Sequence, residues 1–192
     1  LSPNAYDWTL EHNVRRCMHG LSEANYVYWN EAAASGSQGA QSWADRGQMS
    51  HSDCYNLPAP AGPAGENLAM AHVMMGGGVG ARVQSWYEEY ADCNWSNGCQ
   101  NSANGKAVGH FTALIWKSTS QIGCADNSAK GGGMTIFVCR YLAETPNVGG
   151  GYLDNVPQLS TTASESVCRG KVAGWMAAGG WTGCNAESSF SS

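Results

Sequence analysis

The chain has 192 residues, a formal net charge of −5, only 13% charged side chains, and 25 glycines. With no lysine–arginine cluster to set against that charge, the composition excludes nucleic acid and an anionic membrane as electrostatic partners. No run of about 18 uninterrupted apolar residues is present, so no transmembrane segment is expected; the most apolar candidate, LAMAHVMMGGGVGARV, is broken by His72, Arg82 and glycines. The length suits one sizeable domain. Eight cysteines with no Cys-x-x-Cys pair point to disulfides in an oxidising compartment rather than to a structural zinc site. Asn94-Trp95-Ser96 is a glycosylation sequon. No signal peptide begins at Leu1, so the chain reads as a mature secreted glycoprotein whose leader has been removed.

In chain order, Ser2-Pro3 followed by Trp8, Leu10 and Val14 at near-helical spacing, with Gly20 as a stop, predicts a first helix. The alanine-rich stretch 30–47 predicts a second helix running through Gly36 and Gly39 to Gly47. The three prolines of SDCYNLPAPAGPAG make 52–65 a loop. Val79, Val83, Trp86 and Tyr90 then form one apolar helical face. At about 100° per residue, Glu88 lies opposite that face and Glu89 on its flank, so Glu89 is the glutamate that turns inward.

Two strands are expected next. In GHFTALIW (109–116) His110, Thr112, Leu114 and Trp116 alternate with Phe111, Ala113 and Ile115, which reads as a strand with His110 at its mouth. MTIFVCRYL (134–142) is the second. Cys124 and Cys139 flank a glycine-rich turn and would clamp a hairpin, and Cys93 and Cys99 would close a small loop. For the remaining four, Cys17–Cys54 and Cys168–Cys184 are favoured among three possible pairings. From Pro157 the chain turns Ser/Thr-rich and ends in a serine tail, and no internal repeat is found.

Four segments, MSHS (49–52), AGENLA (64–69), SWYEEY (85–90) and GHFTALIW, together resemble the signature of the CAP superfamily. This group (also called SCP/TAPS) contains the cysteine-rich secretory, antigen 5 and pathogenesis-related 1 proteins. EHNVRR (11–16), VCRY (138–141) and GYLDNV (151–156) extend the match in the same order. The resemblance implies an α/β fold, a three-layer α-β-α sandwich with a central antiparallel sheet. It places a CAP domain at 1–156 and leaves 157–192 as a Ser/Gly-rich extension with two cysteines. It also implies a cleft holding His51, Glu66, Glu89 and His110, with zinc or another divalent cation as cofactor. Its implied partners are a lipid or sterol, or an extracellular protein or glycan. The usual T-Q after the cleft histidine is Thr112-Ala113 here, and the run after Cys139 is CRYLAETPN.

Two imidazoles and two carboxylates can bind a divalent metal, exchange protons, or brace the cleft by hydrogen bonds. Catalysis is the weakest of these, because no nucleophile presents itself. Ser52 is sequence-adjacent to both His51 and Asp53, which cannot relay through it, and no G-x-S-x-G elbow occurs. The chain therefore reads as a non-enzymatic metal-binding protein. Its alternatives are a metal-dependent or serine-type hydrolase and a structural component of an extracellular assembly. Of the other side chains, His12 is expected to be buried and hydrogen-bonded, His19 to face solvent, and His72 to lie away from the cleft. Met70, Met74 and Met75 are expected to fill the core.

Overall fold

Alternation along the strands sorts side chains onto two apolar faces, and helices cover both. The computed structural model describes residues 1–182. Strands β1 (Tyr28–Trp29), β2 (Gly65–His72), β3 (Gln121–Asp126) and β4 (Met134–Leu142) form a sheet in the order β1-β3-β4-β2. The last three pair antiparallel, and the two-residue β1 runs parallel to β3 at one margin. The antiparallel sheet expected from the sequence is thus mixed at that edge.

On one face, Phe137, Cys139 and Tyr141 pack with α1 (Ala5–Met18), α4 (Gly78–Tyr87) and α5 (Gly109–Ile115). Trp8 of α1 and Trp86 of α4 stack there with ring centroids 5.9 Å apart. On the other face, Leu68, Ala125, Ile136 and Val138 pack under α3 (Ala40–Ala44), and α2 (Glu31–Ser35) lies beside it on β3. The result is an α-β-α sandwich. After α6 (Tyr152–Asn155), helix α7 (Glu165–Ala177) returns to α1, where Val172 and Met176 join Val14 and Tyr26.

That return corrects two cysteine pairings. Cys17 bonds Cys168, with Cα atoms 5.6 Å apart, because α7 packs along α1 and brings the two sulfurs together. Cys54 is buried and has no disulfide partner among the described residues, and Cys184 lies outside them. Cys93–Cys99 and Cys124–Cys139 form as expected, the latter between directly paired strand positions.

Three element readings also change. The helix expected over 30–47 is two short helices, the first ending at Gly36, where the chain turns so tightly that a Cβ would lie 2.4 Å from the carbonyl oxygen of Ala32. The chain reverses through that gap and lays both pieces on the sheet. The segment expected to be a strand at 109–116 is helix α5. The five buried residues in a row, Phe111 to Ile115, look the same at a period of 2 and of 3.6. Finally, the methionines expected in the core are outside it: Met70, Met74 and Met75 are 47%, 85% and 73% exposed.

Candidate functional site: a cleft astride the edge strand

β2 is the last strand of the sheet, and its first residues, although buried, border a cleft. Alternation sends Glu66 to the face covered by α2 and α3 and Asn67 to the face covered by α5. A cleft of about 360 Å³ opens over this edge, lined by His51, Glu66, Asn67, His110 and Asn147 among others.

Glu66 is the buried anchor of one wall. It sits directly opposite Arg140 in the β2–β4 register, and Arg140 Nε donates to its Oε2 at 2.8 Å with both side chains 1% exposed. The same carboxylate accepts Ser52 N–H (2.9 Å) and Ser52 Oγ–H (2.6 Å). It also accepts from His51 Nδ1 at 3.0 Å. A carboxylate only accepts, so the His51 proton is on Nδ1 and its Nε2 lone pair is open.

Glu89 builds the other wall. Its Oε2 accepts the backbone N–H groups of His110 (3.0 Å) and Phe111 (3.2 Å), which are unpaired donors at the start of α5. Its Oε1 accepts from His110 Nδ1 at 2.7 Å, so this imidazole too keeps Nε2 free. The helical reading of 109–115 therefore improves the site, because one carboxylate both caps the helix and fixes the ring. Trp86 stands behind that ring, centroids 6.2 Å apart and planes 27° from parallel.

Behind the cleft runs a hydrogen-bond chain. His12 Nδ1–H donates to the Trp8 carbonyl (2.7 Å), and its Nε2 accepts the Tyr141 hydroxyl proton (3.0 Å). Asn67 Nδ2 donates both to that hydroxyl oxygen (2.9 Å) and to the carbonyl of His110 (3.0 Å). Burial pushes the His12 pKa down to about 4, against the pull of the Trp8 carbonyl. His19, expected at the surface, is 2% exposed. Its nitrogens bond the Pro157 carbonyl (2.7 Å) and the Tyr87 hydroxyl (3.1 Å), and burial lowers its pKa to about 4 as well.

Among the described residues, the one group of three His, Cys, Asp or Glu side chains with ligand atoms mutually within 4.8 Å is His12, Cys124 and Cys139. It is not a metal site, because the sulfurs are joined to each other and both imidazole nitrogens are already bonded. The cleft offers a different donor set, two open imidazole nitrogens backed by carboxylates on their far sides. That pattern suits zinc, whose ligating histidines characteristically donate their other N–H to a carboxylate or carbonyl.

The family profile described as the cysteine-rich secretory protein family, CAP, matches residues 10–141. The chain belongs to the CAP family. It is 37% identical to Repressed by EFG1 protein 1 of Candida albicans over 69% of this chain and 43% of that protein. It is 35% identical to protein PRY2 of Saccharomyces cerevisiae over 78% of this chain and 40% of that protein. The chain therefore spans about two fifths of the length of these relatives. Among solved structures, venom allergen-like protein 4 of Schistosoma mansoni superposes with a TM-score of 0.55 at 20% identity, covering 86% of this chain and 99% of that one. NaASP2, solved with Zn2+, gives a TM-score of 0.57 at 18% identity over 86% of this chain and 90% of that one.

Within this CAP fold, the four predicted cleft residues fall into two carboxylate–histidine pairs, one on each side of β2. Glu89 turns inward as the helical wheel required, while Glu88 is exposed and bonded to Gln84. Arg140, Asn67 and Tyr141 were not singled out from the sequence. A signal for Arg140 existed, since a cation inside the apolar run MTIFVCRYL needs a buried acid. Asn94 lies in a 3-10 turn between Cys93 and Cys99, where its side-chain oxygen accepts from Ser96 N–H (3.2 Å) and Ser96 Oγ–H (2.7 Å).

Proposed function

We propose that this is a secreted, non-enzymatic CAP protein whose cleft takes a divalent cation, zinc in the first instance, on Nε2 of His51 and His110. The observation that carries this reading is the matched bonding of the two rings. Each has Nδ1 held by a carboxylate and Nε2 unbonded among the described residues, and both line the same cavity. Glu66 and Glu89 then act mainly by holding the rings, since besides the imidazoles their oxygens already accept three donors and two donors respectively. The cation would polarise water or an anion in its open positions.

The hydrolase alternative finds no support in Ser52, whose hydroxyl donates to Glu66 rather than to an imidazole. A lipid, sterol or extracellular partner would engage the protein outside this cleft, and Asn94 would carry a glycan on the loop closed by Cys93 and Cys99. Domain limits at about residue 156 are part of the same reading, with α7 stapled back onto α1 by Cys17–Cys168. Calorimetric zinc titration of the wild type, His51→Ala and His110→Ala at neutral and acidic pH tests the site. Neutral imidazole is needed for ligation, so affinity should fall with acid. Unchanged affinity in both variants would remove the cleft as the metal site.

A further inference from the structure

Four of the seven methionines lie at the end of the sheet far from the cleft. Met70, Met74, Met75 and Met134 are 47%, 85%, 73% and 43% exposed, with Val73 among them at 48%. Other loops of this chain, such as QNSANGK (100–106), are built of small polar residues, so exposed apolar chains here need a separate reason.

The register supplies the arrangement. His72 is paired directly with Met134, and Met70 is paired with Ile136. Directly paired residues share a face with Cβ atoms about 5 Å apart, and diagonal ones are still within reach of long side chains. Met70, His72 and Met134 therefore stand on one face, beyond the part of the sheet that α3 covers through Leu68 and Ile136. Met74 follows them in a 3-10 turn that His72 caps, its backbone N–H donating to His72 Nδ1 at 3.2 Å. Three consecutive glycines with positive φ, Gly76 to Gly78, follow, and Gly131 and Gly132 of the facing hairpin share that property, so both loops can adjust.

No carboxylate occurs in 67–81 or 131–139. The donors that Met70, His72 and Met134 bring to their shared face are thioether sulfur and imidazole nitrogen, which select a soft monovalent ion. We propose that Met70, Met74 and Met134, with His72, form a second metal site that takes Cu(I) or its redox-inert analogue Ag(I). Ligation by the imidazole requires the exposed Met74 N–H···His72 bond to open, so the Met74 amide reports occupancy. The site is independent of the histidine cleft, and zinc does not compete for it.

The test is a titration of the full chain, labelled with 13C at the methionine methyls, with Ag(I) and with Cu(I) kept reduced by ascorbate. Equimolar metal should shift the methyls of Met70, Met74 and Met134 and the amide of Met74. The methyl of Met176, 2% exposed in the core, serves as the unmoved control. The triple variant Met70→Leu/Met74→Leu/Met134→Leu keeps the apolar surface but removes sulfur, and it should lose at least about tenfold in Ag(I) affinity while binding zinc as the wild type does. His72→Ala should lose less. Methyl signals that stay still at equimolar metal, or a triple-leucine variant that binds Ag(I) as tightly as the wild type, would overturn the proposal. Persistence of binding with shifts confined to other residues would place the metal on a buried thiol such as Cys54 instead, and would also overturn it.

Discussion

The five histidines include two contrasting pairs. His51 and His110 each give one nitrogen to a carboxylate and leave the other open at the cleft, with side chains 63% and 31% exposed. His12 and His19 spend both nitrogens on a backbone carbonyl and a tyrosine hydroxyl, and are 0% and 2% exposed. The same side chain keeps an open nitrogen in one setting and is a bolt in the other. What separates them is not proximity to the cleft, since His12 reaches the His110 carbonyl through Tyr141 and Asn67. It is whether a lone pair remains unspent.

The contrast breaks most visibly in acid. A histidine held neutral in the native state, with its pKa lowered from 6.5 to about 4, binds its proton more readily when unfolded. Its stabilisation is complete above about pH 6.5 and is lost as pH falls toward 4. The loss reaches about 3 kcal/mol for each of His12 and His19. Urea unfolding at pH 7, 5.5 and 4.5 should show this fall, and His12→Gln should flatten it. Glu31 works in a lower window. Burial acts against it, but hydrogen bonds from Ser2, Trp29 and Ser35 pull its pKa down to about 2. Its share of stability therefore persists to about pH 4.5 and is lost only below that. A stability curve flat from pH 7 to 4.5 would refute the bolt reading of the buried pair.

The next largest effect falls on the wall behind His51. Arg140→Met leaves Glu66 charged and buried without its partner, at a cost of about 3–5 kcal/mol. Loss of Glu89 should leave the global fold closer to wild type, because Glu89 is only partly buried and serves chiefly α5 and one ring. Glu89→Gln should instead weaken zinc binding by about 10–100-fold through the misoriented His110, read by calorimetry beside an unfolding curve. The smallest effect is on the stability of His51→Ala, less than about 0.5 kcal/mol, since the imidazole is mostly exposed and Glu66 keeps its other donors. A His51→Ala protein that unfolds as readily as Arg140→Met would erase the distinction between an open imidazole and a bolt.

Legibility followed the length and purity of the pattern. α1, α4 and β4 were readable because their apolar positions repeat over many residues. β2 escaped notice because it begins Gly-Glu-Asn, polar residues that are buried here only through partners on other segments, Arg140 for Glu66 and Tyr141 for Asn67. α5 was mistaken for a strand because the group that caps it, Glu89, is remote in sequence. Within the site, the cleft residues were found from their motifs and Glu89 from geometry as well. The bonds that decide which imidazole nitrogen is free come from tertiary contacts and were not legible. His19 was misplaced for the same reason, as its burial depends on Tyr87 and Pro157 closing over it.

The bridge between Cys17 and Cys168 spans 151 positions. The stretch from Cys17 to Cys168 is in this sense a ring closed by sulfur. A protease that cuts the exposed stretch 100–106 would convert the ring into a line without releasing a piece. The severed halves would still share the sheet and the Cys17–Cys168 link, and such a cut would show on a gel only after a reductant is added. That is endurance by topology, separate from anything the core contributes.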